Sequence, residues 1–226
     1  AVAIVGLSTR LPGADTLAQF WRNLSTGVDS IGPLPPGRAA DLDGATLPMG
    51  GYLPDIASFD SLLFGIAPVE ARGLDPQERV LLEEVWACLE TAGYTAASLA
   101  AACPRVGVFV GAMWNDYQSV GLDRWHASGR AEEFSHHASL ANRISFVFDF
   151  DGPSMAVNTS CASALSALHF AAESIRRGEC DAAIVGGVNL LSHPYHARML
   201  ADLGLLSKDG RACPLSSEAS GWAPGE

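Results

Sequence analysis

The stretch Met155-Ala156-Val157-Asn158-Thr159-Ser160-Cys161-Ala162-Ser163-Ala164-Leu165 passes from an apolar, strand-like run into small residues and then into a helical pattern. A strand, a sharp turn of small residues and a nucleophilic side chain opening a helix form a nucleophile elbow. Such a turn presents its side chain where a carbonyl can approach. Ser160, Ala162, Ser163 and Ala164 leave that approach open. A thiol at a helix N-terminus faces unpaired backbone N–H groups and the positive end of the helix dipole, which favour thiolate over thiol. Cys161 is therefore the candidate nucleophile. A lone cysteine among small residues also fits a buried apolar packer, since free cysteine is among the most buried residue types. The local pattern alone does not separate the two.

Outward from this turn, short apolar runs predict strands at Val2 to Val5, Val106 to Val110, Ile144 to Phe150, Met155 to Asn158 and Ala182 to Val185. The strongest helix signal has Asp75 as N-cap, Pro76 at its first position and Glu78 completing a capping box. Val80, Leu81, Val85, Trp86 and Leu89 follow on one side before Gly93 ends it. A second helix is predicted from Cys161 to about Gly178, with Leu165, Leu168, Ala172 and Ile175 at core spacing. Strands alternating with helices predict an α/β fold whose parallel or mixed sheet is covered by helices. No boundary between compact domains and no repeat is visible. The loops at Gly32 to Gly51 and Trp114 to Glu133 are long, as loops that line sites or interfaces often are.

Composition fits a core-rich globular chain, with 48% hydrophobic and 17% charged residues in 226. No apolar run approaches the ~20 residues needed to cross a bilayer, and no signal-peptide pattern opens the chain; a cytoplasmic location is expected. Five widely spaced cysteines without a C-x-x-C pair suggest neither a disulfide framework nor a zinc knuckle. The net charge of −11 argues against nucleic acid, because phosphate contacts need a clustered basic surface.

Further segments give the elbow a family context. Asn142-Arg143-Ile144-Ser145, Gly152-Pro153-Ser154, the Asn158 to Leu165 elbow and Gly186-Gly187-Val188-Asn189 occur in an order that resembles a ketosynthase domain. They are similar to the β-ketoacyl synthases of modular polyketide synthases. The likeness spans the chain. It includes Ala3 to Ala14, Gly50 to Gly93, Leu206-Ser207-Lys208-Asp209-Gly210-Arg211 and Gly221-Trp222-Ala223-Pro224-Gly225-Glu226. There are departures too. Leu11 stands in place of the usual aromatic, and Asn158 replaces the family's leading Asp while keeping a hydrogen-bonding side chain of similar size. Pro36-Gly37-Arg38-Ala39-Ala40 lacks the usual Arg-Trp pair, and Ala212-Cys213-Pro214 replaces a basic, aromatic-containing run.

The resemblance implies a thiolase-like layered fold of two similar halves, usually dimeric, of which this chain is the first, N-terminal half. It implies that Cys161 accepts an acyl chain from the phosphopantetheine thioester of an acyl carrier protein. Decarboxylative Claisen condensation in polyketide or fatty acid biosynthesis would then follow. No directly bound cofactor is implied, since the carrier protein supplies the phosphopantetheine arm. The family's two catalytic histidines have no match within residues 1–226, so the chain alone is not expected to elongate. A missing second half or a complementary chain would cover the apolar face otherwise left open. Two alternatives stay open: a non-elongating acyl-transfer domain, and a non-catalytic half-domain that scaffolds a partner chain. Arg124, Arg143, Arg176, Arg177 and Arg198 are candidate docking charges for an acidic carrier protein.

Other candidates read as structural. His193-Pro194-Tyr195-His196 has metal-like spacing, but the proline disfavours a helical face and no third ligand is local. His169 lies eight positions after Cys161, about 12 Å along one helix and too far for a hydrogen bond. His126, His136 and His137 match no catalytic histidine of the family. Gly107 to Gly111 and Gly186-Gly187 do not form a dinucleotide fingerprint.

Overall fold

The structure, a computed structural model, describes residues 1–38 and 47–226. Ala39 and Ala40, and the middle of the long loop expected after Gly32, lie outside the described residues. In chain order the elements are α1 (Leu17–Thr26), α2 (Pro68–Gly73), α3 (Pro76–Ala92), α4 (Ala96–Ala102), β1 (Val106–Ala112) and α5 (Asp116–Ser128). Then come α6 (His137–Phe148), β2 (Ser154–Val157), α7 (Ser163–Arg176), β3 (Ala182–Val188) and α8 (Pro194–Asp202).

The three strands form a parallel sheet in the order β2-β1-β3, with Phe109 opposite both Met155 and Val185. Parallel neighbours need crossovers, and these cover both faces. Val106, Val108, Val110 and Ala112 point from β1 into a core shared with Leu81, Leu82, Val85 and Leu89 of α3 and with Leu140, Ala141, Ile144 and Phe148 of α6. Phe109 points the other way and packs with Val157, Ala167, Ala171 and Cys180 beneath α7. The alternation along β1 follows from the period-2 geometry of a strand, and β1 is buried throughout. Burying each large aliphatic side chain there contributes about 1.5–3 kcal/mol.

Strands β1, β2 and β3 and helices α3 and α7 fall where the sequence places them, and several other expectations are corrected. Val2 to Val5 lies outside any strand, with Ile4 and Val5 exposed. Its β-branched residues find no ladder partner here. Ile144 to Phe148, expected as strand, ends α6: the buried set Leu140, Ala141, Ile144 and Phe148 has helical spacing. The expected loop from Trp114 to Glu133 contains the helix α5. Helix α7 starts at Ser163, two residues beyond Cys161, and buries Ser163, Ala167, Ala171 and Ser174. Leu165 and Leu168, expected in the core, face outward. In α3, Asp75 accepts from the Gln77 N–H as N-cap, but Glu78 does not close a capping box. Its carboxylate turns instead to Ser139 Oγ and to Arg143 Nε.

Candidate active site

β2 ends at Val157, at the carboxyl edge of the sheet, where open α/β sheets bind their ligands. The next residues make the turn. Asn158 accepts from the Ser160 N–H through Oδ1 (3.0 Å) and donates through Nδ2 to the Met113 carbonyl beyond β1 (3.1 Å). An amide supplies both roles at once, which an ionised Asp does not. Ser160 sits in the left-handed region at φ 57°, a conformation that costs a non-glycine residue roughly 1–2 kcal/mol. Ser163 Oγ holds it there, donating to the Ser160 carbonyl (2.6 Å) and accepting from the Thr159 N–H (3.0 Å). Cys161 follows this strained residue and is exposed, which excludes the buried-packer alternative.

Two glycines let α7 begin so close to the sheet. A Cβ on Gly111 would lie 2.4 Å from Ala164 N and 2.5 Å from Ser163 C, and one on Gly187 would lie 2.8 Å from the Ala164 methyl. Ala164 is thus seated over β1 and β3, and α7 begins two residues after Cys161. Gly111 and Gly187 are ladder residues of β1 and β3.

The N-terminus of α3 joins the carboxyl edge from below. Buried Gln77 donates to the Trp114 carbonyl (3.3 Å) and accepts from the Leu190 N–H (3.3 Å), tying together the segments that follow β1 and β3. Ser135 bridges Asn115 and the Asp75 carboxylate. Burial pushes the Asp75 and Glu78 carboxyls up, against the pull of their hydrogen bonds and of Arg79 and Arg143 respectively.

His193 and His196 do not act as a pair. His193 caps α8 through Nδ1 and meets Asp123 Oδ2 at 3.0 Å, while His196 Nδ1 is hydrogen-bonded to Asp116 and its ring stacks on Trp114 at 3.9 Å. The proline between them occupies the first position of α8, where its missing N–H costs nothing. Among the described residues no three His, Cys, Asp or Glu side chains converge to hold a metal ion. His169 lies on α7 against Phe170, and His136 caps α6. No local signal marks the roles of Gln77 and Trp114, which arise only when segments distant in the chain meet.

Most of the candidate docking arginines are already paired. Arg124 bonds Glu133, Arg143 bonds Glu70 and Glu78, Arg176 bonds Glu173 and Arg198 bonds Asp202. Arg177 lies within electrostatic reach of Glu173. No described helix is long and apolar enough to cross a membrane.

Fold and turn together define a class: a helix-covered parallel sheet that offers a cysteine to solvent from a strained elbow at its carboxyl edge. Within that class the family is clear. The profile described as "Beta-ketoacyl synthase, N-terminal domain" matches residues 1–226, and the chain belongs to that family. It is 42% identical to Polyketide synthase ThaG of Burkholderia thailandensis and 41% identical to Polyketide synthase PksL of Bacillus subtilis. All of the chain aligns in both cases, against 4% and 5% of those proteins. The oxazolomycin ketosynthase domain of Streptomyces albus superposes with a TM-score of 0.89 at 44% identity, covering 99% of this chain and 40% of that one. A ketosynthase from module 6 of the bacillaene synthase of Bacillus subtilis superposes with a TM-score of 0.84 at 32% identity, covering 99% and 37%. The fold is the thiolase-like layered fold expected from the sequence, and the chain is ketosynthase sequence of the condensing-enzyme class.

Proposed function

We propose that Cys161 is the acyl-accepting nucleophile of a polyketide ketosynthase, and that this chain contributes the first half of the domain. The observation that carries the proposal is an exposed thiol directly after the strained Ser160, held at the start of α7 by the Ser163 hydroxyl and the Asn158 amide. The substrate is an acyl thioester on the phosphopantetheine arm of a carrier protein. Cys161 Sγ, as thiolate, attacks the thioester carbonyl carbon and a new C–S bond forms. The Cys161 backbone N–H stabilises the tetrahedral oxyanion. Collapse breaks the bond to the pantetheine sulfur, which leaves and takes a proton from solvent. The product is an acyl-enzyme poised for condensation with a decarboxylated extender, a step for which the family's histidines are needed from outside residues 1–226. The working enzyme is a cytoplasmic homodimer that receives both acyl groups from acyl carrier proteins.

The test is acylation with an N-acetylcysteamine thioester, read by intact mass and peptide mapping. One adduct is expected, at Cys161, and none in Cys161→Ala with an unchanged circular-dichroism spectrum. Cys88 does not compete, because burial and the nearby Glu84 push its thiol up. Label spread over several cysteines would overturn the assignment, and a folded, partner-binding protein that takes no label would point to the scaffold alternative.

A further inference from the structure

The segment just past β1 meets the elbow, and something must hold it. Asn158 Nδ2 hangs on the Met113 carbonyl, so the position of the turn depends on where Met113 sits. Met113 has left the ladder, since β1 ends at Ala112. Its neighbour Trp114 is fixed on the backbone side by Gln77 and on the ring side by His196, whose imidazole stacks on the indole at 3.9 Å with an interplanar angle of 30°. His196 is itself immobilised. Its Nδ1 bonds to Asp116, a carboxylate 1% exposed at the start of α5, and its backbone belongs to α8.

We propose that His196 is a positioning residue for the nucleophile elbow: by clamping Trp114 it holds the Met113 carbonyl against Asn158, and so fixes the turn that presents Cys161. The proposal rests on the assignment of Cys161 above for its functional consequence, but not for its structural one. His196 never touches the thiol. It acts through one stacked ring, one peptide unit and one amide, which links α8 and α5 to a turn made by β2 and α7. The sequence shows only a histidine in a metal-like pair, and the structure gives it a different task.

The experiment is hydrogen exchange on the full-length protein that contains this chain, following the hydrogen-bonded amides of Thr159, Ser160, Ala162 and Ser163. His196→Asn, which removes the ring, is expected to speed their exchange about fivefold, the factor that loss of one ordinary hydrogen bond produces. Asn158→Ala is expected to do at least as much, and the double variant no more than Asn158→Ala alone, because both cut the same link. His196→Phe keeps a ring on Trp114 and is expected to keep the protection. Wild-type exchange in His196→Asn, additive effects in the double variant, or loss of protection in His196→Phe would each overturn the proposal. Acylation runs in parallel: the maximal rate of labelling at Cys161 is expected to fall in His196→Asn with an unchanged half-saturating thioester concentration. A wild-type protein that takes no label would sink the assignment of Cys161, while the exchange data would still decide the role of His196.

Discussion

At the residue scale, the elbow is a matter of which side chains are missing as much as which are present. Gly111 is the sharpest case. Its φ is ordinary, so conformational freedom is not its purpose; space is, because a Cβ there would collide with backbone atoms of Ser163 and Ala164 that cannot swing aside. Gly111→Ala is therefore expected to push the start of α7 off the sheet. That overpacking should destabilise the protein by about 1–3 kcal/mol in urea titrations and sharply slow labelling of Cys161. Unchanged stability together with unchanged labelling would mean that the close approach is not required. Cys161 could be proposed as the nucleophile from the sequence because small residues around a cysteine are a local pattern. The reason for Gly111 could not, since its partner lies about fifty positions away and appears only when α7 crosses β1. Asn158 falls between these cases: its hydrogen-bonding side chain could be read from the sequence, and the turn uses both ends of its amide.

At the scale of elements, local signals held where a segment's own chemistry decided its state and failed where neighbours did. The Asp75 cap, Pro76 and Gly93 fix α3 without help from the rest of the chain. Ile144 to Phe148 alternates like a strand but continues a helix already begun at His137, so its period is hidden in too short a window. In α7 the leucines lost the inner face to alanines, because a helix lying this close to glycine-bearing strands has room only for small side chains. Glu78 makes the same point with an energetic consequence. It left its predicted capping role for the joint between α3 and α6, where burial pushes its carboxyl above the ordinary range despite Arg143. A raised acid keeps its proton in the folded state over a window in which the unfolded chain has lost it. Its contribution to stability is then largest at low pH, falls as pH rises from the ordinary carboxylate range through the folded value, and is flat beyond. Glu78→Gln lacks this titration. The unfolding free energy of wild type relative to Glu78→Gln is thus expected to decline as pH rises above the ordinary carboxylate range, about pH 4, in urea titrations. A difference that grows with pH would show that the ion pair with Arg143 outweighs burial.

At the scale of the whole molecule, several large apolar side chains remain outside the described core. Ile4, Val5, Trp21, Phe146 and Leu165 are all well exposed, more than scattered surface hydrophobics require. Holding the chain together against this is a buried ion pair between segments far apart in sequence. Glu226 has no exposed side-chain surface, and its carboxylate accepts from both terminal nitrogens of Arg38 and from the backbone N–H groups of Leu53 and Leu191. Arg38 in turn donates to the carbonyls of Leu53 and Leu191. Its guanidinium is only 3% exposed. Removing one charge from such a pair leaves the other buried and unanswered. Glu226→Ala is accordingly expected to cost about 3–5 kcal/mol, whereas replacing both partners by apolar residues of similar size, as in Arg38→Met with Glu226→Leu, should cost clearly less. Unfolding titrations of the two single variants and the double would measure this. A double variant as unstable as the sum of the singles would mean that the Leu53 and Leu191 backbone bonds, and not relief of a stranded charge, dominate the joint.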